Sequence, residues 1–193
     1  WEMNSFDVNA YYAPALNAIF IPNTAFTFSS TLPGVSIGTL GFLLAHELGH
    51  AWDPNTIVYG ADGRPDVMLD AEARRRYNAY VTCIATSGHV VSPTGPTIGE
   101  DFADYVGVDA MMSVAASSAR PLQMMSTLLT AEQQAIIAFG NFWCTAPDTA
   151  TNIYNITREP DPHSLPRDRV RSALVGVVQS VFECARGHTR CVL

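Results

Sequence analysis

The stretch His46-Glu47-Leu48-Gly49-His50 places three polar, titratable groups inside an apolar segment. From Ser36 to Trp52 the residues Ile37, Leu40, Leu44 and Leu48 recur at i, i+3, i+7 and i+11, which is helical spacing. Phe42, Leu43 and Ala45 cover much of the remaining surface, so this helix is expected to be buried nearly all round. Burying two imidazoles and a carboxylate without partners is costly, which argues against a chance occurrence of the pattern. His46 and His50 are four residues apart, so a helix puts both rings on one face with a bite that suits one Zn²⁺. Glu47 is offset by one residue. It lies near such an ion without binding it, where a carboxylate can take a proton from metal-bound water.

An open zinc site needs a third protein ligand. No further histidine follows His50 at a useful spacing; Asp53, Asn55 and Thr56 come instead. Gly99-Glu100-Asp101-Phe102-Ala103-Asp104 offers Glu100 and Asp104 four apart at the start of a second predicted helix, Ile98 to about Ala116. Glu100 would ligate the metal while Asp104 accepts the ring N–H of a ligating histidine. The competing reading is two solvated carboxylates near a helix N-terminus, where negative charge is welcome. Asp53 is open in the same way: a carboxylate serving His50, or a helix stop before Pro54. His89 and His188 read as surface residues, and Met111, Met112, Met124 and Met125 as packing. Taken residue by residue, His163 is a loop histidine and Arg169 a surface position on a helix.

The rest of the chain fits one mostly helical domain over 1–193, of α+β class with a small N-terminal sheet. Val8 to Tyr12 and Ala18 to Ile21 read as a hairpin around Pro14 and Asn17, and Phe26 to Gly34 as loop. Pro54, Gly60 and Gly63 mark a long loop. Asp70 caps a helix to about Ala85. Thr130 with Gln133 forms a capping box opening a helix through about Phe142. Cys144 to Pro166 reads as irregular, and a last helix is expected from about Asp168 to Glu183.

A formal charge of −7 with no basic stripe excludes nucleic acid as a partner. No apolar run reaches the 18 residues of a membrane span. The four cysteines, Cys83, Cys144, Cys184 and Cys191, show no CxxC spacing. Their even number and the glycosylation sequon at Asn155 point to an extracellular, oxidising compartment. The chain opens on Trp1 without an initiator Met or signal segment, so a processed product or fragment is expected, with any membrane anchor upstream.

Several separated elements together resemble the neprilysin family of zinc endopeptidases, the neprilysin and endothelin-converting type also called M13. They are His46-Glu47-Leu48-Gly49-His50-Ala51-Trp52-Asp53, Gly99-Glu100-x-x-Ala103-Asp104, Val8-Asn9-Ala10-Tyr11-Tyr12, Phe142-Trp143-Cys144 and Asp161-x-His163-Ser164-x-Pro166-x-x-Arg169-Val170. They occur in the family's order from Asn4 to Cys191. The resemblance implies a zincin-like, thermolysin-like fold corresponding to the family's C-terminal catalytic part, with one Zn²⁺ held by His46, His50 and Glu100. It implies Glu47 as general base, Asp104 as partner of a zinc histidine, His163 as oxyanion stabiliser oriented by Asp161, and Arg169 as a substrate-carbonyl ligand. Asn9 and Ala10 would pair with the backbone of a peptide substrate. The resemblance also implies a Cys83–Cys191 disulfide, with Cys144 and Cys184 pairing to cysteines upstream.

The family's peptidases are much longer, and the helical half that closes over their site has no counterpart here. Two explanations compete: either that N-terminal half is carried as a separate disulfide-linked chain, or the sequence presents this part alone. Two function classes follow. One is an endopeptidase cutting small peptides on the amino side of hydrophobic residues. The other is a zinc protein that keeps the site but acts as a binding or antigenic protein. The intact base and ligand set favours the enzyme.

Overall fold

A computed structural model of the chain describes residues 4–66, 69–87, 95–118, 129–144, 163–184 and 190–193. The chain begins with a hairpin of β1 (Tyr11–Ala13) and β2 (Ala18–Phe20), antiparallel with Tyr12 opposite Ile19. Its connection is a 3₁₀ turn, Pro14–Leu16, closed by Asn17 in the left-handed region at φ 45°. Asparagine tolerates that conformation, which explains its place at the turn. The expected hairpin is present, with shorter strands than the β-prone runs predict.

The segment expected as loop from Phe26 to Gly34 instead holds the end of a 3₁₀ helix, Asn23–Phe28, and the start of α1 (Pro33–Ser36), with Pro33 at its first turn. A π-helical turn, Ile37–Gly41, joins α1 to α2 (Phe42–Gly49). The helix therefore starts before Ser36 and stops before Trp52. Its buried face also differs from the one the Leu periodicity indicates. Gly34, Gly38, Phe42, His46, Glu47 and Gly49 are buried, whereas Leu48 is half exposed. The reason is close helix approach: a Cβ on Gly38 would lie 2.3 Å from the Ala135 carbonyl oxygen. Apolar periodicity gives such glycines no weight, so it favours the leucine face.

Five further helices follow among the described residues, where the sequence foreshadows four. In α3 (Ala71–Ser87), Asp70 Oδ1 accepts from the Ala73 N–H at 2.8 Å, as a cap should. α4 spans Ile98–Ser117, and α5 (Ala131–Phe142) opens on the reciprocal Thr130/Gln133 capping box. The expected final helix is broken into α6 (Pro166–Ala173) and α7 (Val177–Val181), because Gly176 between them takes φ 76°.

α4 is the hub. One core side packs Val108 and Met111 against Phe42, Phe139, Ala173 and Leu174. The opposite side packs Phe102 and Tyr105 against Tyr77, Tyr80 and Ile84 of α3. The C-terminal segment closes this second cluster. Arg190 stacks 3.5 Å over the Tyr105 ring, the Cys191 N–H donates to the Tyr105 hydroxyl at 2.6 Å, and Cys191 is disulfide-bonded to Cys83. α2 and α4 approach closely at two glycines: a Cβ on Gly49 would lie 3.1 Å from Ala103 Cα, and one on Gly107 3.1 Å from the His46 nitrogen. This contact sets Glu100 and Asp104 opposite His46 and His50.

Candidate metal centre and active site

α2 supplies both imidazoles on one face, and each ring is oriented by a carboxylate. His46 Nδ1 lies 2.9 Å from Asp104 Oδ1, and His50 Nδ1 lies 2.7 Å from Asp53 Oδ2. A carboxylate at Nδ1 draws the ring proton there and leaves the lone pair on Nε2. The two Nε2 atoms then face each other at 3.1 Å, with Glu100 Oε2 at 3.3 Å from His46 and 3.7 Å from His50. Three lone-pair donors thus converge, and Glu100 Oε2 is buried without a hydrogen-bond partner.

Such an arrangement calls for a cation. Tetrahedral coordination with metal–nitrogen bonds near 2.0–2.1 Å places ligand atoms roughly 3.3–3.4 Å apart, which the three separations bracket. His46, His50 and Glu100 also form the one group of metal-competent side chains among the described residues. The residues present therefore fit a single metal ion with one face left open.

The electrostatics agree. Burial alone would lower the His46 imidazole, but the Asp104 and Glu100 carboxylates override it and push its pKa up to about 9. Glu100 is held far below the usual carboxylate range: burial opposes this, and the His163 and His46 imidazoles prevail. A site that draws a proton this strongly draws a metal cation by the same field. Glu47, 4% exposed, is shifted upward by burial against the pull of His46 and His50 and of the nearby Tyr12 backbone. The β1 strand therefore runs beside this carboxylate. A raised carboxylate is better matched to accepting and returning a proton near neutral pH.

His163 stands just before α6 with its side chain 41% exposed, and its Nε2 lies 3.2 Å from Glu100 Oε2. Arg169 corrects the reading of a surface position. It is 3% exposed, and its Nε and Nη2 donate to Asp104 at 2.5 and 2.7 Å. The guanidinium also stacks 3.9 Å from the Trp143 ring centroid and approaches Glu100 Oε2 at 3.8 Å. Asn9 is exposed and its Oδ1 accepts from the Ala10 N–H at 2.9 Å, while Ala10 is buried against Ala25 and Leu43. Asp161 and the Asn155 sequon lie outside the described residues, as do His89 and His188. Cys144 and Cys184 are exposed and outside the disulfide.

Two contributors had a signal that residue types alone do not resolve. Asp53 sits three residues after His50, close enough to meet its ring once the helix ends. Trp143 was visible only as a motif element, because its contact with Arg169 bridges the ends of two separate segments.

Residues 9–191 match the family model of peptidase family M13, and the chain belongs to that family. It is 30% identical over 204 residues to neprilysin-3 of Drosophila melanogaster, an alignment covering 97% of this chain and 26% of that protein. It is 27% identical over 207 residues to endothelin-converting enzyme 1 of Rattus norvegicus, covering 100% and 26%. The chain thus spans about a quarter of the length of the curated relatives it matches. Its fold is similar to that of the Mycobacterium tuberculosis zinc metalloprotease Zmp1 solved with an inhibitor (TM-score 0.81, 24% identity, 95% of this chain and 31% of that one). It is also similar to a galactose-containing glycoprotein complex of Haemonchus (TM-score 0.79, 21% identity, 99% and 36%). The fold is accordingly that of the M13 metalloproteases, mostly helical with a two-stranded sheet. Among the described residues no helix is long and apolar enough to cross a membrane.

Proposed function

We propose that the chain is the catalytic part of an extracellular zinc endopeptidase that hydrolyses small peptides on the amino side of hydrophobic residues. The observation that carries this reading is the convergence of His46 Nε2, His50 Nε2 and Glu100 Oε2, with both Nδ1 atoms engaged by carboxylates and Glu47 buried beside them.

His46, His50 and Glu100 would hold one Zn²⁺. When bound, the ion supplies Lewis-acid polarisation of the peptide carbonyl and lowers the pKa of water to about 7. Glu47 accepts the proton of the attacking water and returns it to the leaving amine, a role supported by its burial and upward shift. His163, half exposed with its Nε2 3.2 Å from Glu100 Oε2, would stabilise charge growing on the carbonyl oxygen. Arg169 acts mainly by holding Asp104, and through it His46, in place. Asn9 and Ala10 precede β1, whose course beside Glu47 brings an added substrate strand alongside the base. Cys144 and Cys184 would pair with cysteines upstream, so that non-reducing electrophoresis of the native protein releases a second polypeptide only on reduction.

The test is Glu47→Gln. The variant is expected to retain one equivalent of zinc by elemental analysis and to lose about two to four orders of magnitude in peptide hydrolysis. Hydrolysis at the parent rate would remove Glu47 from the mechanism.

A further inference from the structure

Three carboxylates stand in the first two turns of α4, and the site described above uses two of them. The third, Asp101, is 2% exposed and accepts a hydrogen bond from Ser164 Oγ at 3.0 Å, across 63 residues of sequence. A negative charge near a helix N-terminus accounts for an aspartate at this position but not for its burial against Ser164. Ser164 directly follows His163, whose imidazole is 41% exposed and whose Nε2 lies 3.2 Å from the Glu100 carboxylate. Anchoring the backbone beside a half-exposed ring restricts the directions the ring can take. The Glu100 contact is a poor anchor, because Glu100 Oε2 also faces both histidine Nε2 atoms and would be committed to a metal. The Ser164–Asp101 bond touches neither.

We infer that Asp101 is a positioning residue: through Ser164 it fastens the segment carrying His163 to α4, so that the imidazole faces the Glu100 end of the cluster. This rests on the endopeptidase reading for its kinetic consequence, though not for its structural one. Asp101 and Glu100 are adjacent on one helix, so one element sets both the metal ligand and the charge-stabilising imidazole. A movement of α4 displaces them together.

Ser164→Ala gives the cleanest test, since it deletes only the hydroxyl and leaves α4 and Glu100 intact. In the protein as naturally produced, kcat is expected to fall about tenfold or more with KM and zinc content near the parent values, the loss typical of a mispositioned group. Asp101→Asn keeps an oxygen that accepts from Ser164 and is expected to retain most of kcat, whereas Asp101→Ala behaves like Ser164→Ala. Hydrogen exchange supplies a readout independent of activity. The Asp168 and Arg169 amides, both bonded to the Leu165 carbonyl, are expected to exchange about tenfold faster in Ser164→Ala, as for loss of one hydrogen bond to a charged acceptor. Parent-like exchange of these amides in Ser164→Ala would overturn the inference. So would parent-like kcat in an enzyme whose parent form is active. If the parent form hydrolyses no peptide, the endopeptidase reading fails, and the exchange result alone decides whether Asp101 anchors the segment.

Discussion

Asp104 is gripped from two sides: Arg169 donates to both of its oxygens, and one of these also lies 2.9 Å from His46 Nδ1. All three side chains are buried, so the carboxylate cannot be replaced by water without moving a helix. Orientation of the His46 imidazole and neutralisation of a buried guanidinium are thus tasks of one residue.

Removing that residue should cost both. Asp104→Ala leaves Arg169 buried without its counter-ion and is expected to lower unfolding stability by about 3–5 kcal/mol. Asp104→Asn keeps the shape and is expected to weaken zinc binding by about 10–100-fold. Denaturant unfolding and competition titration against a chelator measure the two effects. An unchanged midpoint in Asp104→Ala would show that the buried pair contributes nothing.

Metal removal should reverse the dependence of stability on pH. Without metal, folding raises the His46 pKa from 6.5 to about 9, so the folded state holds this proton more tightly. That contribution, on the order of 3 kcal/mol, is fully present below about pH 6.5 and is lost as pH rises through about 9. With zinc bound the cation replaces the proton, and stability instead falls towards acid as protons displace the ion. Urea unfolding from pH 6 to 10, with and without chelator, separates the two curves. A metal-free curve that rises across that window would contradict the sign.

Gly63 couples the loop after α2 to the hairpin. It takes φ 75°, and a Cβ there would lie 2.0 Å from the Ala15 carbonyl oxygen, while Asn17 Nδ2 donates to Ala61 O at 3.1 Å. Gly63→Ala is expected to cost roughly 1–3 kcal/mol and to shift β1 relative to Glu47. Thermal unfolding reports the first effect and an increased KM for peptides the second. A variant with parent stability would show that the loop and hairpin yield freely.

The Cys83–Cys191 disulfide closes 108 residues and ties the C-terminus to α3 beside the Tyr105 cluster. Cys83→Ser in the Cys191→Ser background is expected to cost roughly 4–5 kcal/mol by chain entropy. The loss should appear as a lower unfolding midpoint, with α2 and its histidines unaffected under native conditions. Loss of zinc from the folded variant would indicate that the crosslink also shapes the metal centre.

Features set by neighbours along the chain were readable without coordinates. His46, Glu47 and His50 share a helix by spacing, Glu100 and Asp104 share another, and Asp70 and Thr130 cap helices through bonds spanning three residues. Gly176 shows the limit of the same reasoning: its composition signal was present, yet the amphipathic run around it favoured one continuous helix.

What spacing along the chain could not determine was decided by close approach between helices. Which face of α2 turns inward depends on Gly38 meeting Ala135 and Gly107 meeting His46, contacts that involve atoms absent from the sequence pattern. The same approach brings Asp104 to His46, whereas Asp53 reaches His50 from three residues along the chain. Arg169 passed for a surface residue because the carboxylate that grips it, Asp104, stands 65 positions away. Sequence spacing alone put His46 and His50 on one helix face, since helical periodicity is local, and left Glu100 open between a ligand and a solvated carboxylate. Their convergence into a site with one open face is a property of packing, where glycines and buried ion pairs act over distances the chain order does not encode.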